Sequence, residues 1–143
     1  MDFPKQTTLQ VISDLEQLNH VLAWFDQSRP TAIAQKDWLQ CQLALAEAFT
    51  NAVRHAHHGL PRETSITIEV LLWEKHLELK VWDQGPPFDL KSRLILEQTE
   101  ADHHRGGGRG LAILAKIADD LQYSRTPDGH NCLSIVKQYS YQG

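Results

Sequence analysis

Cysteine is almost absent: there are two in 143 residues, Cys41 and Cys132, far apart and in no CxxC pair. This gives no footing to a disulfide framework or a zinc ribbon. Each lies in an apolar-patterned segment, so both are expected as buried free thiols of a reducing compartment. Long apolar runs are missing too, with nothing near the roughly 18 residues of a bilayer span. The start, Met1-Asp2-Phe3-Pro4-Lys5-Gln6, lacks the basic-then-apolar pattern of a secretion signal. A cytoplasmic protein with no membrane partner is expected. There is no excess of positive charge: 14 Lys and Arg face 18 Asp and Glu, giving −4, with both signs interspersed. That disfavours a polyanion-coating protein, and no direct nucleic-acid partner is expected. No repeat, low-complexity tract or linker interrupts the chain, which reads as one domain over residues 1–143. A composition of 41% hydrophobic and 22% charged residues is globular, and the length suffices for a core without covalent staples.

Periodicity supplies the elements. Thr7 to Ile12 reads as a strand, and Ser13 is placed to cap a helix whose apolar residues Leu15, Leu18, Val21, Leu22 and Phe25 recur every three or four positions. A longer helix is predicted from about Thr31 to His57, with Ile33, Trp38, Cys41, Leu45, Ala48 and Ala52 inward and Gly59 and Pro61 stopping it. Strands follow at Ser65–Trp73 and Leu77–Trp82, then a weakly patterned stretch from Phe88 to Arg105 with a helical turn or two over Leu90–Leu96. A helix from about Gly108 to Ala118 precedes strands at Asp120–Arg125 and Asn131–Tyr139, joined by the turn Thr126-Pro127-Asp128-Gly129-His130. The predicted fold is α/β: a two-layer sandwich, its mixed and mostly antiparallel sheet carrying the helices on one face.

Three segments carry candidate chemistry. Glu47, Asn51 and His55 recur every four residues and so share one side of the long helix, where Ala44, Ala48 and Ala52 keep the neighbourhood small. A solvated polar face has the same spacing, so periodicity alone does not select a site. Asp83 ends an apolar strand, and Gly85 permits a backbone approach that a side chain would block; an ordinary Asx turn would look alike. Arg105-Gly106-Gly107-Gly108-Arg109-Gly110-Leu111 leads into a helix, exposing backbone N–H groups at its positive end beside two guanidinium groups suited to phosphate oxygens. A flexible linker is the plain alternative. The spacing matches neither a Walker loop nor a dinucleotide fingerprint.

All three occur in one order, and that order resembles the ATP-binding boxes of the GHKL superfamily. Within it the chain is most similar to the small anti-sigma-factor serine/threonine kinases. The likeness is carried by Glu47-Ala48-Phe49-Thr50-Asn51-Ala52-Val53-Arg54-His55-Ala56, Asp83-Gln84-Gly85-Pro86-Pro87-Phe88-Asp89, Gly107-Gly108-Arg109-Gly110-Leu111 and Tyr123-Ser124-Arg125-Thr126-Pro127-Asp128-Gly129. The resemblance implies ATP and Mg²⁺ as cofactors. Asn51 would hold the Mg²⁺, Asp83 the adenine amino group, and Gly85 would give the base room. Gly107, Gly108, Arg109, Gly110 and Leu111 would form the phosphate-binding helix start, Arg105 adding charge, with Glu47 as general base. His55 belongs to the motif with a packing or orienting role. Pro87 stands where many superfamily members carry a second glycine. Residues from about 89 to 105 would form a lid. The implied partners are a sigma factor and its STAS-type antagonist, phosphorylated on serine, and the implied assembly is a homodimer.

A sequestration module without transferase activity would carry the same boxes. A detached histidine-kinase ATP domain is disfavoured, since no helix with a phosphoacceptor histidine precedes the domain. His57, His58, His103 and His104 are expected as polar loop residues or favourable charge at a helix end, and Trp24, Trp38, Trp73 and Trp82 as core.

Overall fold

The computed structural model describes residues 3–99 and 109–139. Five strands form one sheet in the order β1-β2-β3-β5-β4, where β1 is Lys5–Ile12, β2 Ser65–Leu72, β3 His76–Asp83, β4 Asp120–Arg125 and β5 Asn131–Gln138. All four ladders are antiparallel. Period-two alternation sends one side of each strand into the core. Ile66, Ile68, Val70 and Leu72 of β2 face inward with Leu77, Leu79 and Val81 of β3 and Leu133 and Ile135 of β5. The same alternation carries three polar residues into that face at one end of the sheet. Asp83 follows Val81, Asn131 precedes Leu133, and in register Asp83 pairs with Asn131 and Asn131 with Arg125.

The helical layer is α1 (Leu18–Asp26), α2 (Gln35–Asn51), α3 (Leu90–Thr99) and α4 (Gly110–Ile117). The first helix begins through a 3-10 turn, Leu15–Gln17, capped by Asp14, whose Oδ1 accepts from Glu16 N at 2.9 Å. The cap is therefore Asp14 and not Ser13, whose backbone N–H goes to Arg62 O. The long helix starts at Gln35, four residues later than Thr31: Ala34 is extended, and Ile33 is already buried ahead of it. Its inward residues Trp38, Cys41, Leu45, Ala48 and Ala52 are all buried. Phe25 of α1 stacks on Trp38 at 4.3 Å between ring centroids, and Trp38 Nε1 donates to Asp26 Oδ1 at 2.7 Å, tying α1 to α2. Trp24, Trp73 and Trp82 are half-buried. Both cysteines are buried and unbonded to each other, and burial pushes their thiols up to about 12 (Cys41) and about 11 (Cys132).

Regular α geometry gives out at Asn51. Residues Ala52–Ala56 form a π turn, closed by His57 N donating to Ala52 O at 2.9 Å, and Gly59 at φ 83° reverses the chain. Such wide turns are frequent at functional sites. The weakly patterned stretch holds a full helix, α3, longer than the turn or two expected. Leu111 and Leu114 of α4 are fully buried against the core, together worth about 3–6 kcal/mol. In α3 the one fully buried residue is Glu97, while Leu90 and Leu94 pack half-buried against the core, so the core holds the first half of α3 and not its later part.

Candidate functional site

The polar end of the sheet and the end of α2 meet. Asp83 is 5% exposed, and its Oδ1 accepts from Gly85 N (2.9 Å) and from Asn131 Nδ2 (2.8 Å). Asn131 Nδ2 also donates to Gly85 O at 2.8 Å, and Arg125 Nη1 donates to Asn131 Oδ1 at 2.8 Å and Gly85 O at 3.2 Å. Two donors, Gly85 N and Asn131 Nδ2, thus fix one carboxylate oxygen, and Arg125 braces both of the residues that supply them. The other, Oδ2, accepts from no described residue, which leaves a pre-aimed acceptor for an amino group. Asn131, fully buried, and Arg125 were not among the candidate residues. The signal was present in the alternation, a polar residue at the inward position of β5, but pairing it with Asp83 needs the ladder.

Gly85 lies against the π turn. A β-carbon there would stand 2.0 Å from Ala56 O, so the close approach that demands glycine here is to Ala56 backbone. The same contact brings His57 into the loop: its Nε2 accepts from Gln84 N at 2.8 Å, and its Nδ1 is buried with no hydrogen-bond partner among the described residues. The accepting Nε2 must be unprotonated, which places the proton on Nδ1. His57, read as a polar loop residue from the sequence, is 3% exposed and part of this loop's support. Burial lowers its pKa, partly opposed by Asp83. A depressed histidine binds protons in the unfolded chain first. Stability is therefore full above the ordinary value of 6.5 and is lost as pH falls from there through the folded pKa. Urea unfolding at pH 7.5 and 5.5 is expected to show a larger acid loss for the wild type than for His57→Gln. Equal losses would show that His57 is not the group responsible.

On α2, Asn51 is 7% exposed and its amide makes no hydrogen bond to a described residue. Glu47 is half-buried and likewise makes no hydrogen bond to a described residue. Burial, then Glu97, hold its carboxyl above the usual range, with Arg54 pulling the other way. Helices α2 and α4 pack together, and a β-carbon on Gly110 would stand 3.1 Å from Glu47 Oε2, which sets Glu47 beside the start of α4. His55 falls within the π turn and not on α2 with Glu47 and Asn51, and it is exposed. Partial burial, then Arg93, lower its pKa. Arg109 is exposed at the start of α4, and the side chain of Leu111 is wholly in the core, leaving only its backbone for a ligand. Pro87 is exposed, while Phe88 packs on Tyr123 at 4.4 Å and lies under the Arg93 guanidinium at 5.1 Å. Arg105, Gly107 and Gly108, with His103 and His104, lie outside the described residues, as does part of the expected lid.

Among the described residues no group of three or more His, Cys, Asp or Glu is placed to hold a metal ion. A lone amide such as Asn51 suits Mg²⁺, which usually takes much of its coordination from waters and substrate phosphates. No helix among them is long and apolar enough to cross a membrane.

Residues 11–137 match the family model described as a histidine kinase-like ATPase domain. Serine-protein kinase RsbW of Listeria monocytogenes serovar 1/2a is 36% identical over 86 residues, covering 57% of this chain and 54% of that protein. RsbW of Oceanobacillus iheyensis is 32% identical over 89 residues with the same coverage. The chain thus spans about half the length of the curated relatives it matches. Among solved structures, the SiaB–SiaC complex from Pseudomonas aeruginosa aligns with a TM-score of 0.54 at 15% identity, over 92% of this chain and 89% of that one. The mycobacterial sensor histidine kinase MprB aligns at 0.53 and 17%, over 94% and 99%. Likeness at those identities speaks to fold alone.

Proposed function

The chain belongs to the histidine kinase-like ATPase domain family, and from that premise we propose that it is an anti-sigma regulatory serine kinase that binds Mg-ATP. The observation that carries the nucleotide half is Asp83: one oxygen is clamped by Gly85 and Asn131 and the other is left to accept. The similarity to proteins named serine-protein kinase RsbW supports the transferase half.

In this reading Asp83 Oδ2 accepts from the adenine amino group, and the start of α4 receives phosphate oxygens on its backbone N–H groups, with Arg109 beside them. Asn51 would hold the Mg²⁺ that, when bound, neutralises the phosphate oxygens. Glu47 takes the proton from the hydroxyl of a partner serine as that oxygen bonds to the γ-phosphorus and the bond from phosphorus to the β-phosphate oxygen breaks, releasing ADP. A carboxyl held above its usual range is the stronger base for that step. The partners we assign are a STAS-type antagonist, which accepts the phosphate, and a sigma factor, which is held or released by nucleotide state. The working assembly is a homodimer in the cytoplasm.

Asp83→Ala tests the nucleotide half. Losing a charge-assisted hydrogen bond is expected to weaken both adenosine and ATP by about 10- to 100-fold, read by isothermal calorimetry. Unchanged adenosine affinity would remove Asp83 from the base site.

A further inference from the structure

The sequence marked α3 only as lid, yet the chemistry of its attachment is unusual. Its one buried residue is Glu97, 5% exposed, while its large apolar residues Ile95 and Leu96 are 57% and 51% exposed. Leu90 and Leu94 pack half-buried against the core, so apolar burial holds the first half of α3 and does little for its later part. Phe88 and Arg93 pin its beginning, and its later part is tied by a carboxylate: Glu97 Oε1 accepts from Ala112 N, in the first turn of α4, at 3.0 Å. Arg93 Nη2 stands 3.7 Å from the other oxygen, too far for a hydrogen bond. A buried carboxylate is costly unless well paired, and Glu47, beside Gly110 at the same helix start, is a second negative charge near it.

We propose that Glu97 is an internal stand-in for phosphate, occupying the α4 amide in the nucleotide-free protein and competing with the triphosphate for it. This rests on the nucleotide-site reading above. The backbone N–H of Ala112 is one of the donors that a helix start offers an anion. A triphosphate placed there would bring further negative charge against Glu97 and Glu47, and of the two only Glu97 sits on a stretch that apolar packing does not hold, the later part of α3. Phosphate binding then ejects Glu97 and frees the later part of α3, so that phosphate occupancy is converted into the position of a helix that displays Ile95 and Leu96. Adenosine, having no phosphate, leaves the contact intact.

The test is calorimetry of Mg-ATP and of adenosine against the full chain, wild type and Glu97→Gln. Glutamine keeps an acceptor for Ala112 N and removes the charge, so the variant folds if the contact is merely structural; Glu97→Ala is the second variant, its integrity checked by thermal melting. Glu97→Gln is expected to bind Mg-ATP about tenfold more tightly, with adenosine affinity within about twofold of wild type. In the wild type, the Ala112 amide resonance should move on adding ATP and stay in place on adding adenosine. Equal or weaker ATP binding by Glu97→Gln, with adenosine still bound, overturns the competition and leaves the nucleotide site standing. If the wild type and both variants bind neither ligand, the site reading itself fails, and this inference with it.

Discussion

Replacing Glu47 with glutamine is expected to slow phosphoryl transfer to a partner serine by about 10²–10⁴-fold, the usual contribution of a positioned general base, with Mg-ATP affinity within about threefold of wild type. The substitution changes little else. Glu47 makes no hydrogen bond to a described residue, and glutamine has the size needed where a carboxylate oxygen already lies close to Gly110. What it removes is a proton acceptor that burial and Glu97 have made more basic than an ordinary glutamate. The pH dependence has a definite sign. The base acts deprotonated, so the wild-type rate rises with pH through a value above the ordinary 4.5, and that limb should vanish in the variant. Single-turnover transfer of labelled γ-phosphate, beside calorimetry, separates the two quantities. An unchanged rate would move the base elsewhere. No transfer by either protein to the antagonist, with ATP bound by both, would favour a module that regulates by sequestration alone, for which Glu47→Gln should leave regulation intact.

The parts of the fold that could be read from the sequence are those in which one local pattern dominates. The sequence places β4 at Asp120–Arg125, and β2, β3 and β5 to within a residue or so at each end, because apolar and β-branched residues gather there between turn signals. The inward stripe of α2 was legible from its helical spacing. The π turn was not, since an i-to-i−5 bond leaves no mark on hydrophobic spacing, and His55 falls within it. The length of α3 was hidden because its buried residue is an acid, a position periodicity counts as solvent. Ser13 and Asp14 are both competent caps, and only the geometry of the 3-10 turn selects Asp14. In the site, Asp83 and Gly85 stood out as a strand end followed by a turn. Asn131, Arg125 and His57 did not, because what joins them to Asp83, Gly85 and Gln84 is cross-strand register and loop contacts 27 to 48 residues away in sequence. Chemistry that depends on local order was visible, and its support, which depends on long-range pairing, was not.

That support makes Gly85→Ala the most crowded glycine-to-alanine change among the described residues. The new β-carbon would stand 2.0 Å from Ala56 O and 2.6 Å from Ala56 C, both backbone atoms that no rotamer change can move. Neither side has slack. Ala56 lies in a turn closed by His57 N on Ala52 O, and the His57 ring is bonded to Gln84 N; Gly85 O is held by Asn131 and Arg125. Relief therefore breaks a buried hydrogen bond or opens the π turn. The expected cost is about 3 kcal/mol or more, at the upper end for overpacking, and a fall in Tm on the order of 10 °C. Gly110→Ala provides the contrast, since its β-carbon would crowd the end of the Glu47 side chain, at 3.1 Å, which can swing aside, and would meet Glu47 O at an ordinary contact distance of 3.8 Å. It should cost far less stability while disturbing phosphoryl transfer. If Gly85→Ala unfolds at the wild-type urea midpoint and binds adenosine normally, the loop does not lie against the π turn. The clamp on Asp83 would then lose its physical basis, because the Gly85 backbone that completes it would be elsewhere.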